Sequence, residues 1–281
     1  MVSNLRLIKQ FGLIAVYLFL IVMALIWLLP VIMMLLVSFM PPDQRAPEFG
    51  GLMLKGISLA NYLAVFQDAP VPRYFINSLI ITIPSVFFVI ALSVLAAYGF
   101  SRLKFFIKEF WYYLLLLTLM LPIPTLIIPI FQINRTLHFY NTYLGLILPY
   151  TALGIPFAII ILRSFFDGFP KDLEDAARLD GCSALGVLWR VMLPVSWPSL
   201  TVVIIWQFMT SWNEFILALV TMEDNAIKPL TLVPLIYSGQ FMARPGAMFA
   251  ILTIITIPIM VVYLFMQRYF VSGMTAGALK G

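Results

Sequence analysis

A single cysteine, Cys182, and a single histidine, His138, stand in 281 residues. One thiol excludes an intrachain disulfide. Together the two exclude any metal site built from several cysteines or histidines. Charge is nearly as scarce: Asp, Glu, Lys and Arg make up 10% of the chain, against roughly 25% in an ordinary soluble domain. With 63% hydrophobic residues, too little polar surface remains to cover a water-soluble globule. No G-x-x-x-x-G-K-[ST] loop occurs, so the chain does not itself cradle a nucleotide phosphate in that manner. No clustered nucleophile and base suggests an embedded enzyme. The net charge of +5 comes from basic residues at the ends of apolar segments. That placement is a topology signal and not a nucleic-acid patch.

What the chain has instead is long apolar runs. A membrane-crossing helix needs ~20 apolar residues, and six segments qualify, at about 12–40, 74–100, 110–133, 140–162, 195–221 and 246–267. The expected fold is an all-α integral membrane protein, a single domain of six spans with no linker. The first run is too long for a signal-peptide core and has no cleavage site after it, so it reads as a retained anchor. With both termini inside, 11 of the 17 Lys and Arg residues fall on the inner side. The six outside are Arg45, Lys55, Arg73, Arg135, Lys228 and Arg244. This bias places both termini in the cytoplasm. SLANYLAVFQD, in the first external loop, reads as a short helix capped by Ser58, and PLTLVPLIY as a surface or re-entrant segment. Pro122, Pro124 and Pro129 crowd the third span, where a bend is expected.

One cytoplasmic stretch, residues 170–194, breaks the apolar pattern. Pro170 suits a first helical turn, and Asp172 favours the helix N-terminus. Leu173, Ala176, Ala177 and Asp180 recur on one side. Glu174 and Arg178 stand four apart, in the order that favours an ion pair. Gly181 ends the helix, Ser183 caps a second one, and Leu193-Pro194 stops it. The small pair Ala176-Ala177 lets another surface approach closely. Acidic groups around it could meet basic groups on that surface. The residues alone leave two readings, a docking element or a solvated helical loop.

At these residues the sequence resembles a family. Asp175-Ala176-Ala177, then Gly181, then Val191, Leu193 and Pro194 are similar to the E-A-A…G…I-x-L-P signature of bacterial ABC importer permeases. Asp175 and Val191 depart from it by one methylene each. NSLIITIPSV…AAYGFSRLKF, LPYTALGIPFAIIILRSFF, SWNEFILAL and QRYFVSGMTAGALKG are similar to the maltose-type, MalG-like subunits. The resemblance runs from about Ser58 to the end. It implies the type I importer permease fold, inserted in a bacterial inner membrane. It implies a heterodimer with a homologous permease, two ATPase subunits that use ATP and Mg, and an extracytoplasmic solute-binding protein. No cofactor is expected on this chain, and no catalysis. Residues 170–194 would be the coupling helix, with Glu174, Asp175, Ala176, Ala177, Arg178, Asp180, Gly181, Leu193 and Pro194 at the ATPase. The tail 272–281 would reach the ATPase interface.

A sugar path needs hydrogen-bonding groups and aromatic faces. Polar residues within spans are expensive and mark candidates: Asn77, Gln132, Gln207, Ser211, Asn213 and Glu214, with Trp206 and Trp212 nearby. No Lys or Arg falls within a span as drawn, which tilts toward a neutral sugar. The alternatives are a permease for glycerol phosphate or an acidic oligosaccharide, or a self-sufficient channel or carrier. The last would need an acidic relay, for which only Glu214 is available.

Overall fold

A computed structural model describes residues 2–42, 56–238 and 244–278. Among these, all regular structure is helical. In order, α1 is Val2–Ser38, α2 Ala60–Asp68, α3 Val71–Arg102, α4 Lys108–Leu117, α5 Ile123–Thr136 and α6 Leu144–Asp167. Then come α7 Lys171–Leu179, α8 Ala184–Val187, α9 Leu193–Val195, α10 Trp197–Asn213, α11 Ile216–Thr221 and α12 Pro245–Ala278. A π turn, Leu188–Met192, joins α8 to α9. The PLTLVPLIY segment forms a 3-10 helix, Leu230–Tyr237. Ser58 accepts from the Ala60 N–H at 3.1 Å at the start of α2. Residues 43–55, 239–243 and 279–281, which include Arg45, Lys55 and the end of the tail, lie outside the described residues.

Among the described residues, four helices are long and apolar enough to cross a membrane unbroken: Gly12–Ser38, Val71–Arg102, Leu144–Asp167 and Pro245–Gln267. The other two expected spans are not straight. Lys108–Met120 and Ile123–Thr136 meet at 105°, and Ala184–Val195 and Trp197–Asn213 at 78°. The first bend follows from one residue. Proline disfavours a helical conformation in the residue before it, and Leu121, ahead of Pro122, is extended at φ −81°, ψ 119°. Pro124 and Pro129 lie inside α5 without breaking it. The run expected at 195–221 breaks again after Asn213. Glu214 is extended, and its carboxylate restarts the chain as α11 by accepting from the N–H groups of Leu217 (2.8 Å) and Ala218 (3.1 Å).

Packing gathers the chain into two compact units, 1–69 with 234–254, and 70–233 with 255–281. In the first, Asn61 ties α2 to the end of α1 by donating to the carbonyls of Ser38 (3.1 Å) and Met40 (2.7 Å). Arg244 pairs with Asp68 at 3.1 Å. The apolar stretch of α1 is otherwise bare, and Trp27 is 79% exposed.

The second unit is built on α3 against α6, with α10 alongside. Ile81, Leu146, Ile147, Tyr150, Leu217 and Ala218 form one apolar cluster. A second cluster starts at Val89, Val94, Ala97, Ala158 and Leu162 and continues through Phe166, Phe169, Ala177, Val187, Leu188 and Met192. The core of the spans therefore runs without interruption into the 170–194 element. At roughly 25 cal/mol per Å² of apolar area, this shared core holds α7 and α8 to the bundle far more firmly than a loop would. Trp212, 1% exposed, is sealed inside the unit, its indole N–H donating to the Ile255 carbonyl at 3.0 Å.

Candidate functional site

The 170–194 element is a helix, a tight corner and a second helix. Pro170 precedes α7, and Asp172 and Glu174 sit in its first turn. The corner has the bonding of a Schellman motif: Cys182 N–H reaches the Ala177 carbonyl and Gly181 N–H the Arg178 carbonyl, both at 3.0 Å. Gly181 adopts φ +84°, a conformation that side chains with a Cβ rarely take. Ser183 then caps α8 by accepting from Gly186 N–H at 3.2 Å. The Tyr98 hydroxyl of α3 donates to the Ala184 carbonyl at 2.9 Å, bolting the second arm to the bundle.

The two faces of α7 differ in kind. Glu174 and Ala177 are buried. Lys171, Asp172, Leu173, Asp175, Ala176, Arg178, Leu179 and Asp180 are exposed. The adjacent alanines thus part ways, Ala177 into the core and Ala176 outward. Leu179 is 89% exposed, and Leu185 and Trp189 are also bare. An element that exposes these apolar side chains together with Asp175 and Asp180 has the chemistry of a docking face. Leu193 is half-buried against the core, and Pro194 opens α9 from an exposed position.

Glu174 does not pair with Arg178, as the local spacing suggests. It forms an ion pair with Arg102 at the end of α3, whose Nε donates to Glu174 Oε1 at 2.6 Å. Both side chains are nearly buried, at 10% and 5% exposed. Glu174 is therefore spent inside the chain and cannot stand in for the longer acid that Asp175 replaces. Breaking such a buried pair from one side costs about 3–5 kcal/mol. Arg163, just past the end expected for the fourth span, continues in α6 and pairs with Glu109 of α4 at 2.7 Å.

The expected path residues are divided. Asn77 is buried and fully used: its amide donates to the Ala226 (3.0 Å) and Lys228 (2.9 Å) carbonyls, and its oxygen accepts from the Tyr143 hydroxyl at 2.7 Å. Gln207 donates to the Tyr150 carbonyl (3.2 Å) and to Ser211 Oγ (2.8 Å). Its other atom, Oε1, is buried without a partner, and it fills the space where a Cβ on Gly154 would sit. Glu214 accepts from the Tyr150 hydroxyl at 2.7 Å besides restarting α11. These four residues knit α3, α6, α10 and α11 together. Gln132 and Asn213 are exposed. Sequence reasoning gave Thr210 no role, yet Trp206, Met209, Thr210 and Asn213 are all exposed at helical spacing on α10. Trp206 stacks on Phe157 with ring centroids 4.6 Å apart. The 3.6-residue period from Trp206 was the signal available for finding that face.

Bent apolar helices, with a half-charged elbow rooted in their core, describe a membrane-embedded protein. The chain belongs to the family of binding-protein-dependent transport system inner membrane components, whose profile matches residues 74–276. It is 36% identical over 224 residues to the sulfoquinovosyl glycerol transport system permease protein SmoH of Agrobacterium fabrum, covering 80% of this chain and 79% of that one. It is 36% identical over 266 residues to the trehalose/maltose transport system permease protein MalG of Thermococcus litoralis, covering 93% and 94%. With the arabinooligosaccharides transport system permease protein AraQ of Bacillus subtilis, identity is 32% over 278 residues, covering 95% and 96%. A chain of a bacterial ABC transporter that imports the acidic polysaccharide alginate shares the fold, with a TM-score of 0.79, 23% identity, and coverage of 93% and 97%.

Proposed function

We propose that this chain is the permease subunit of an ATP-driven carbohydrate importer, forming half of a translocation path. It pairs with a homologous permease. Two ATPase subunits, which bind ATP and Mg, dock beneath the pair in the cytoplasm, one of them seating the 170–194 element, and an external binding protein delivers the sugar. The single observation that carries this is the continuity of the elbow with the span core: a motor that moves α7 also moves α3 and α6. The exposed Leu179, Leu185 and Trp189, together with Asp175 and Asp180, meet the ATPase. Asp175 and Ala176 lie where the family signature places contacts, and Gly181 sets the angle. Closure of the ATPases would rock the bundle outward-open, and hydrolysis would return it, as rigid-body domain motion.

Three of the similar permeases are named for carbohydrate or glycoside systems, which supports a sugar. On the exposed α10 face, Trp206 supplies a ring for an apolar sugar face, and Thr210 and Asn213 supply hydrogen bonds. Gln132 is an exposed polar group on α5.

The test is co-purification from the native membrane with identification of the bound subunits. The unmodified chain should bring down an ATPase. Leu179→Asp should lose it while the protein inserts and unfolds as before, since Leu179 touches almost nothing within the chain. Capture of the ATPase in full by Leu179→Asp, or no ATPase with the unmodified chain, would overturn the reading.

A further inference from the structure

Among the described helices of the second unit, α4 stands apart. Neither α4 nor the 3-10 turn that continues it, Thr118–Met120, buries a single residue. Its N-terminal neighbour Ile107 sits at φ 49°, a genuine outlier for a β-branched side chain. Its other end runs into the break at Leu121–Pro122. The arm thus has an irregular joint at each end and only thin apolar cover between them, where the Tyr112 ring lies 5.7 Å from that of Phe100. Arg163 of α6 fastens it by charge. This guanidinium pairs with Glu109 at 2.7 Å and lies 4.0 Å from the centroid of the Tyr112 ring.

Arg163 is also one link in a longer series. Its Nε faces Asp167 Oδ2 at 3.4 Å. Asp167 Oδ1 accepts from the Ser101 hydroxyl at 2.5 Å, and Ser101 Oγ accepts from Arg102 Nη1 at 2.7 Å. Arg102 holds the buried Glu174. We infer that Glu174, Arg102, Ser101, Asp167, Arg163 and Glu109 form a polar relay that carries displacement of α7 through the ends of α3 and α6 into α4, and so works the bent span. The inference rests on the reading that α7 is gripped by an ATPase.

Three properties favour transmission over mere stability. The charges alternate in sign, with the neutral Ser101 hydrogen-bonded between Arg102 and Asp167, so each link is attractive. The link from Glu174 to Arg102 is sheltered from water, where charge pairs are screened least. The outer links, at Asp167 and Glu109, are about half exposed and contribute little to stability, yet for α4 they supplement a thin packing. Asp167 and Arg163 are positioning residues in this scheme; they need touch no substrate.

The experiment uses the chain purified with its partner subunits and held in lipid discs. Amide hydrogen exchange is followed in α7 (171–179) and α4 (108–117), with and without Mg·AMP-PNP. In the unmodified complex both helices should change their exchange on nucleotide binding. Asp167→Ala cuts the relay in the middle and spares Arg102–Glu174. It should keep the α7 response and reduce the α4 response about tenfold. Asp167→Glu should restore it, which a purely structural role would not require. An α4 response in Asp167→Ala equal to that of the unmodified complex would overturn the relay. So would failure of Asp167→Glu to rescue, or a silent α4 in an unmodified complex that contains its ATPase. Absence of the ATPase from the unmodified preparation is a different result; it removes the docking reading and the relay with it.

Discussion

Asn134 illustrates how single residues make proline tolerable in a span. Pro149 has no N–H to offer the Gly145 carbonyl four residues back, and in an apolar setting that carbonyl must find another donor. Asn134 supplies it from α5, with Nδ2 donating to Gly145 O at 2.8 Å. The two irregularities therefore depend on each other. Asn134→Ala should lower stability by about 1–3 kcal/mol, the usual penalty for an orphaned buried acceptor. Pro149→Ala in the same chain should recover most of the loss by returning the helical N–H. Thermal unfolding in micelles reads both, and an undiminished loss in the double variant would contradict the pairing. Gln207 obeys the same accounting less completely, because one of its amide atoms stays unmatched against Gly154.

Among elements, the α7–α8 corner depends most on one backbone conformation. No atom lies within 4 Å of the place a Cβ would take on Gly181. Substitution there should act through the φ of +84° alone. Gly181→Ala should cost about 1–2 kcal/mol, and Gly181→Asn clearly less, since asparagine accepts this region more readily. Chemical unfolding of the three proteins ranks them, and equal stability of all three would refute the strain. This corner was legible in the sequence because its signals are local: proline, acids, glycine and a capping serine within 14 positions, Pro170 to Ser183. The bend at Pro122 was legible for the same reason. Other features were not. Glu174 had a textually near partner in Arg178, but its real one, Arg102, lies 72 residues away. Glu214 read as a path residue inside an apolar run. Its role in breaking the run depends on free N–H groups at Leu217 and Ala218 and on Tyr150, 64 residues distant. Burial and pairing across the chain leave no mark on periodicity.

For the molecule as a whole, the decisive property is which way it faces. The basic bias predicts that α7, together with Lys104 and Lys108, faces the inner side. A fluorescent protein inserted between Lys104 and Phe105 should therefore light up in cells. Alkaline phosphatase inserted between Asp224 and Asn225 should be active. The reverse pattern would place the elbow where no cytoplasmic motor could reach it. The bundle at 70–233 with 255–281 holds its own core, whereas only 6% of the most apolar window of α1 is covered.

That nakedness has a practical edge. The 27 residues Gly12–Ser38 extend for roughly 40 Å at ~1.5 Å each, more than the ~30 Å of hydrocarbon in a common bilayer. Short-chain surfactants sheathe a rod of that length poorly, so extraction with them should yield clumps in which this stave, the barest of the four unbroken spans, takes a leading part, and its company is better sought in acyl chains or in a neighbouring polypeptide carried along from the cell.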